Sequence, residues 1–245
     1  MSDDSSKHKK TQPQALTPDA KQWGIPGALF FGTLAFLLPE AILYSIASSL
    51  TLLALSQNEQ SFVAIILYEL FLVSTVVLVV YAYGKKIADL GIGSFRIDYL
   101  WRAVLAFILY IPLSEIIMRL AGIVFPYDAE QAQPVGFVNP QGWLEPTLIF
   151  IGLVLIVPLA EELLFRGFIF AGFRKRLSFW VTSVCVSLLF AVVHGQVNVA
   201  LDVFSLSLVL CYLREKTQSL WPSILLHVAK NGVAFWALLQ TGFTG

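Results

Sequence analysis

The chain has 245 residues, 57% hydrophobic and 13% charged, with 16 basic and 16 acidic side chains and a mean hydropathy of +0.76. A soluble domain carries about a quarter charged residues; the zero net charge says nothing about nucleic acid, but no basic groove with interleaved aromatics appears, so no nucleic-acid partner is expected. What remains is an all-α, polytopic transmembrane bundle, because several apolar runs reach the ~20 residues that cross a bilayer as helix.

Residues 1–25 are polar, with Lys7, Lys9, Lys10 and Lys21 among Ser, Asp, Gln and Pro. They lack the apolar stretch and small-residue cleavage site of a signal peptide, so a disordered cytosolic tail is expected. Seven helices follow, at about 26–55, 62–84, 100–125, 144–173, 178–195, 199–213 and 221–241. The first three make an N-terminal membrane region over 26–143, and the rest a second region over 144–241. Pro39 at the middle of the first helix removes one backbone donor and predicts a kink. The stretch Lys85–Arg96 mixes apolar and basic residues, which fits an interfacial segment or a plain loop. The fifth and sixth helices are short and joined by His194–Gly195–Gln196–Val197–Asn198. A sixth helix of some 15 residues spans only ~22 Å, so that turn is expected inside the membrane, where irregular backbone must be buried in protein or line a wet cavity.

Basic residues set the expected topology. Lys85, Lys86, Arg96, Arg102, Arg174, Lys175, Arg176, Arg214 and Lys216 fall with the tail on one side, and the loops of the other side hold none. An N-in, C-out arrangement follows from the positive-inside rule. No internal repeat of the transporter type is visible. Cys185 and Cys211 lie in apolar runs without metal-ligand spacing and read as small buried hydrophobes.

Against this apolar background, Glu161–Glu162–Leu163–Leu164–Phe165–Arg166 puts three charges in six residues of the fourth helix. Charge at bilayer depth costs about 2.5–3.5 kcal/mol per residue and marks function by default. Glu162 and Arg166 are i,i+4 with the acid first, the favourable order for a pair. Glu161 projects about 100° away on the helix and keeps no local partner, which leaves one carboxylate for chemistry. Two more candidates lie downstream, His194 four residues after Phe190 and His227 four before Asn231. A carboxylate, two imidazoles and an amide on three helices are the groups amide hydrolysis uses: a base for water, a partner to orient it, and donors for an oxyanion. His8, in the tail, is read as inert.

These residues resemble the motifs of the CAAX-protease and bacteriocin-processing (CPBP, or ABI) intramembrane peptidases. In order these are E-E-x-x-x-R at Glu161, Glu162 and Arg166, F-x-x-x-H at Phe190 and His194, and H-x-x-x-N at His227 and Asn231, with Gly167 fitting the family's F-R-G run. The resemblance covers about 145–240 and leaves the first three helices unassigned. It implies an intramembrane endopeptidase acting on membrane-anchored peptides or proteins, in a multi-pass protein of a bacterial plasma membrane. Glu161 would be the general base and His194 its helper. His227 and Asn231 would stabilise the oxyanion, and Glu162 with Arg166 would form a structural ion pair. Pro158 would free a carbonyl and bend the helix toward a cavity.

Two chemistries remain open at this site. Glu161, His194 and His227 could serve as three ligands of a Zn2+ with an open position. The lack of H-E-x-x-H and the additional Asn231 favour a metal-free, glutamate-type reaction without cofactor. Outside peptidase chemistry, the same residues would suit a non-catalytic scaffold or immunity protein of this fold, or a proton relay in a proton-coupled transporter. Lys230, beside Asn231, is an extra charge, with Glu40, Glu69 and Glu115 as the candidate partners.

Overall fold

The computed structural model describes residues 23–50, 55–131, 133 and 135–243, and the side chains of 46–50 lie outside that description. The expected tail, up to residue 22, falls outside it as well. Among the described residues there are seven helices and no strand. They are α1 (Ile25–Leu50), α2 (Gln57–Ala82), α3 (Asp98–Val124), α4 (Leu144–Arg174), α5 (Phe179–Val192), α6 (Val197–Thr217) and α7 (Trp221–Thr241). All but α5 are long and apolar enough to cross a membrane.

Three boundaries depart from expectation, each for a local reason. The α2 helix begins at Gln57 because Ser56 and Glu59 form a capping box, so residues 57–61 make its first turn instead of a loop. The α6 helix has 21 residues, since Arg214 and Lys216 continue it as a polar last turn where cations suit the helix dipole. The short partner of the turn is α5 alone: its 14 residues span about 21 Å. His194 consequently lies just beyond the end of α5, in a turn closed by Val193 and Gly195. The α1 helix continues through Pro39 and is described as far as Leu50, with 51–54 outside the described residues.

The basic clusters gather at one end of the bundle. Arg174 at the end of α4 pairs with Glu215 of α6 at 2.9 Å. Lys175 donates to the Trp23 carbonyl and lies 4.1 Å from the Trp23 ring centroid; burial, and then the nearby Lys85 charge, push its ammonium below the ordinary lysine range. Part of the 85–96 segment packs into the bundle. It contains a 3-10 turn, Ile87–Leu90, whose Leu90 is fully buried, and Leu220 N–H donates to Gly91 O. Gly167 of α4 lets Leu90 approach closely, since a Cβ would come within 3.2 Å of Leu90 Cβ and 3.3 Å of its carbonyl oxygen, a tight fit. At the opposite end Asn58 donates to Val138 O, Gln196 and Asn198 donate to Gln131 O, and Phe137, Ile149 and Phe243 form a small apolar cluster.

The α4 helix is the axis of the molecule. It packs against α1, α2, α5, α6 and α7, and every residue from Glu162 to Phe170 is buried. Two π-helical stretches, Phe150–Ile156 and Leu163–Ile169, flank its central Val157–Glu162 turn. Such wide turns occur mostly at functional sites, and these bracket the paired glutamates.

Candidate active site

The first π stretch follows from Pro158. Val157 N–H donates to Gly152 O, an i to i−5 bond. In that register the donor for Leu153 O would be residue 158, and proline has no N–H. The orphaned Leu153 carbonyl is instead satisfied by Asn231 Nδ2 of α7 at 2.9 Å. The carbonyl freed by proline is thus what fixes the Asn231 side chain. One of its two amide hydrogens is spent and one is left over.

The adjacent glutamates sit in different surroundings. Glu162 is fully buried and its Oε1 accepts from Arg166 Nη1 at 2.8 Å and from His227 Nδ1 at 3.1 Å. The ion pair expected from the sequence is therefore one side of a three-residue knot. The Arg166 guanidinium stands 4.5 Å from the Phe190 ring centroid, within cation–π range. Phe190, itself fully buried, also meets His194 and His227 edge-on at 4.9 and 5.8 Å between centroids. The aromatic residue of F-x-x-x-H is the wedge that spaces both imidazoles and the cation. Glu161 is partly exposed, and His227 Nε2 lies 3.6 Å from its Oε2.

Hydrogen bonding assigns the ring nitrogens. His194 Nδ1 is 2.7 Å from the carbonyl of Phe190. A carbonyl only accepts, so Nδ1 carries the proton and a neutral His194 has Nε2 as its free acceptor. His227 Nδ1 faces the Glu162 carboxylate and likewise donates, which leaves its Nε2 on the Glu161 side.

Glu161, His194, His227 and Asn231 all line one cavity of about 850 Å3. Phe36 of α1 closes part of its wall, and Glu130, Gln133 and Val135 of the 126–143 segment reach it from between α3 and α4. The early end of α5 brings His194 to the same cavity as the other three, although α6 runs to 21 residues.

Three zinc ligands do not come together here. Among the described residues no group of three or more His, Cys, Asp or Glu is placed to hold a metal ion, although Glu161 and His227 approach each other.

Lys230 pairs with none of the glutamates expected for it. Its ammonium lies 3.3 Å from Asp202 Oδ2 on α6, and Asp202 Oδ1 accepts from the Tyr110 and Ser114 hydroxyls of α3. Sequence reading passed over this network, although an aspartate within the apolar α6 was the signal. Glu69 is buried on α2 and its Oε2 has no hydrogen-bond partner among the described residues.

Comparison with known proteins bears on the same half of the chain. Residues 143–233 match the family model described as "Type II CAAX prenyl endopeptidase Rce1-like". A Bacillus subtilis (strain 168) protein named "Putative membrane peptidase YdiL" is 24% identical over 86 residues, which is 35% of this chain and 35% of that protein. The chain thus matches about a third of the length of that curated relative. No solved structure matches it. With six helices long enough to span, the protein is an integral, multi-pass membrane protein, and its residues 143–233 are similar to the CAAX prenyl endopeptidase family.

Proposed function

We propose that the chain is an intramembrane endopeptidase that hydrolyses peptide bonds of membrane-anchored substrates with a glutamate-activated water. The observation that carries this reading is the convergence of Glu161, His194, His227 and Asn231 on one cavity, with Glu161 the carboxylate not committed to Arg166. Glu161 takes a proton from water, with His194 Nε2 accepting a hydrogen bond from the same molecule. The hydroxide adds to the peptide carbon, and the oxyanion is met by the spare Asn231 amide hydrogen and by His227 Nε2–H. His227 donates from both ring nitrogens in this step, Nδ1–H to Glu162 and Nε2–H to the oxyanion. Glu161 then passes its proton to the leaving amine as the C–N bond breaks. No step of this scheme uses a metal or cofactor.

The clustering of basic residues at one end supports an N-in, C-out orientation. Cysteine labelling is expected to find 126–143 on the side opposite 85–96 and 214–218, and cytosolic labelling of 126–143 would reverse that topology.

The activity test is cleavage of a membrane-anchored peptide library by the purified protein in lipid vesicles, read by mass spectrometry, with Glu161→Gln alongside. Specific cleavage by wild type and its loss in the variant is expected. An equally active Glu161→Gln would remove Glu161 as the base. Stoichiometric zinc by elemental analysis, lost with activity on chelation and restored with it, would overturn the metal-free chemistry.

A further inference from the structure

The mechanism above leaves the cavity's cation without a task. Among the described residues Lys230 is the one lysine or arginine on the cavity wall. It sits next to Asn231 and three residues after His227, so anything bound at its ammonium lies close to the oxyanion donors. A cation on a largely apolar wall is costly unless it is paired, yet its pairing is loose. The 3.3 Å to Asp202 exceeds the roughly 2.7–2.9 Å of a charge-assisted bond.

Asp202 does not depend on that contact. Its other oxygen takes two hydroxyl donors from α3, Tyr110 and Ser114, the latter at 2.6 Å. The carboxylate is held in place from behind, and Lys230 leans on it with one of three N–H groups. The others are available to an acceptor in the cavity. A single ammonium matches a single negative charge, and the Glu130 and Glu161 side chains on the same cavity wall oppose a polyanion.

We infer that Lys230 is a specificity-determining residue that receives a carboxylate of the peptide substrate, either its free C-terminus or an acidic side chain, near the scissile bond. The inference rests on the peptidase reading and adds a substrate class to it. Lys230 touches no reacting atom; it selects which peptide is held across Glu161.

The test compares anchored peptides that differ in one group: free C-terminus against C-terminal amide, and Asp or Glu against Asn or Gln at each position flanking the cleaved bond. Wild type, Lys230→Met and Lys230→Arg are assayed for kcat/KM in vesicles, and binding of the same labelled peptides is measured by anisotropy in the Glu161→Gln background. Wild type is expected to favour one carboxylate peptide over its neutral counterpart by about 10–100-fold, the scale of one hydrogen bond to a charged group. Lys230→Met should bring that ratio to near one, mainly through KM, and Lys230→Arg should keep most of it. The C-terminal and side-chain series identify which carboxylate is read. Cleavage by wild type with equal rates for every carboxylate and amide pair overturns the inference and leaves the peptidase reading standing, as does a preference that survives in Lys230→Met. Carboxylate-dependent binding without any cleavage removes the peptidase reading alone. Absence of both removes both. If Lys230→Met fails to fold, Lys230→Gln takes its place, and equal wild-type rates still overturn the inference.

Discussion

Two polar clusters hold this bundle together, and they are built from similar parts to different ends. In the knot at α4, Glu162, Arg166 and His227 are 0–4% exposed and jammed against Phe190. In the network at α3, α6 and α7, Asp202 and Lys230 are 25% and 20% exposed and one contact is long. Each has an acid, a cation and an auxiliary donor. Burial separates them: a fully enclosed pair has no alternative partner, so removing one member strands the other, whereas a pair at a cavity wall can trade its partner for water or a ligand. The Glu162–Arg166 pair therefore serves geometry, with His227 linking it to the site, and the second cluster is free to serve recognition.

Glu161 lies between the two, and its loss should have the largest effect. Glu161→Gln preserves shape and removes the base, so turnover should fall by about 10²–10⁴-fold with the thermal unfolding profile unchanged. The adjacent Glu162→Gln should behave in the opposite way. A variant pair that cannot be told apart by unfolding would erase the distinction between a working and a structural carboxylate.

The knot itself is broken by Arg166→Ala. Stranding Glu162 in a dry interior should cost about 3–5 kcal/mol, seen as a large drop in unfolding temperature in detergent and low yield. Next in size is Asn231→Ala, which removes an oxyanion donor and the cap on Leu153 O together. Loss of one such donor lowers kcat by about 10²–10³-fold, or ~2.7–4 kcal/mol, with KM nearly constant. If turnover is retained while stability falls, Asn231 is a brace for the π turn and nothing more.

How far the sequence revealed this depends on the range of the interaction. Hydropathy marked all seven helices, because burial in a bilayer needs only composition and length. The Glu162–Arg166 pair was legible since i,i+4 geometry is local. The capping box at Ser56 and the polar last turn of α6 are local too, yet charged residues there read as loop. The third member of the knot was not legible: His227 reaches Glu162 across 65 residues, and only tertiary packing brings α7 to α4. Pro158 signalled a freed carbonyl, but an α-helical register points to Val154, and the π turn moves the vacancy to Leu153. Lys230 was visible as an excess charge whose partner was misassigned, because acids on α1, α2 and α3 were considered and Asp202 of α6 was not.

The smallest expected effect gives the sharpest test of the comparison. Tyr110→Phe deletes one of two hydroxyl donors to Asp202 Oδ1 and leaves Ser114 in place. The ring remains to pack with Phe107, so little shape is lost. A single hydrogen bond contributes about 0.5–1.5 kcal/mol, and more when its partner would otherwise be buried and unsatisfied. Asp202 keeps Ser114 and Lys230 and is a quarter exposed, so the lower part of that range is expected, measured as a small shift in thermal unfolding. With one donor fewer, Asp202 should draw Lys230 closer and weaken the carboxylate preference by a few-fold at most, since the ammonium is still present. A Tyr110→Phe protein as destabilised as Arg166→Ala would mean that the network is as rigid as the knot. Lys230 would then have no freedom to leave Asp202, and the contrast between the two clusters would collapse.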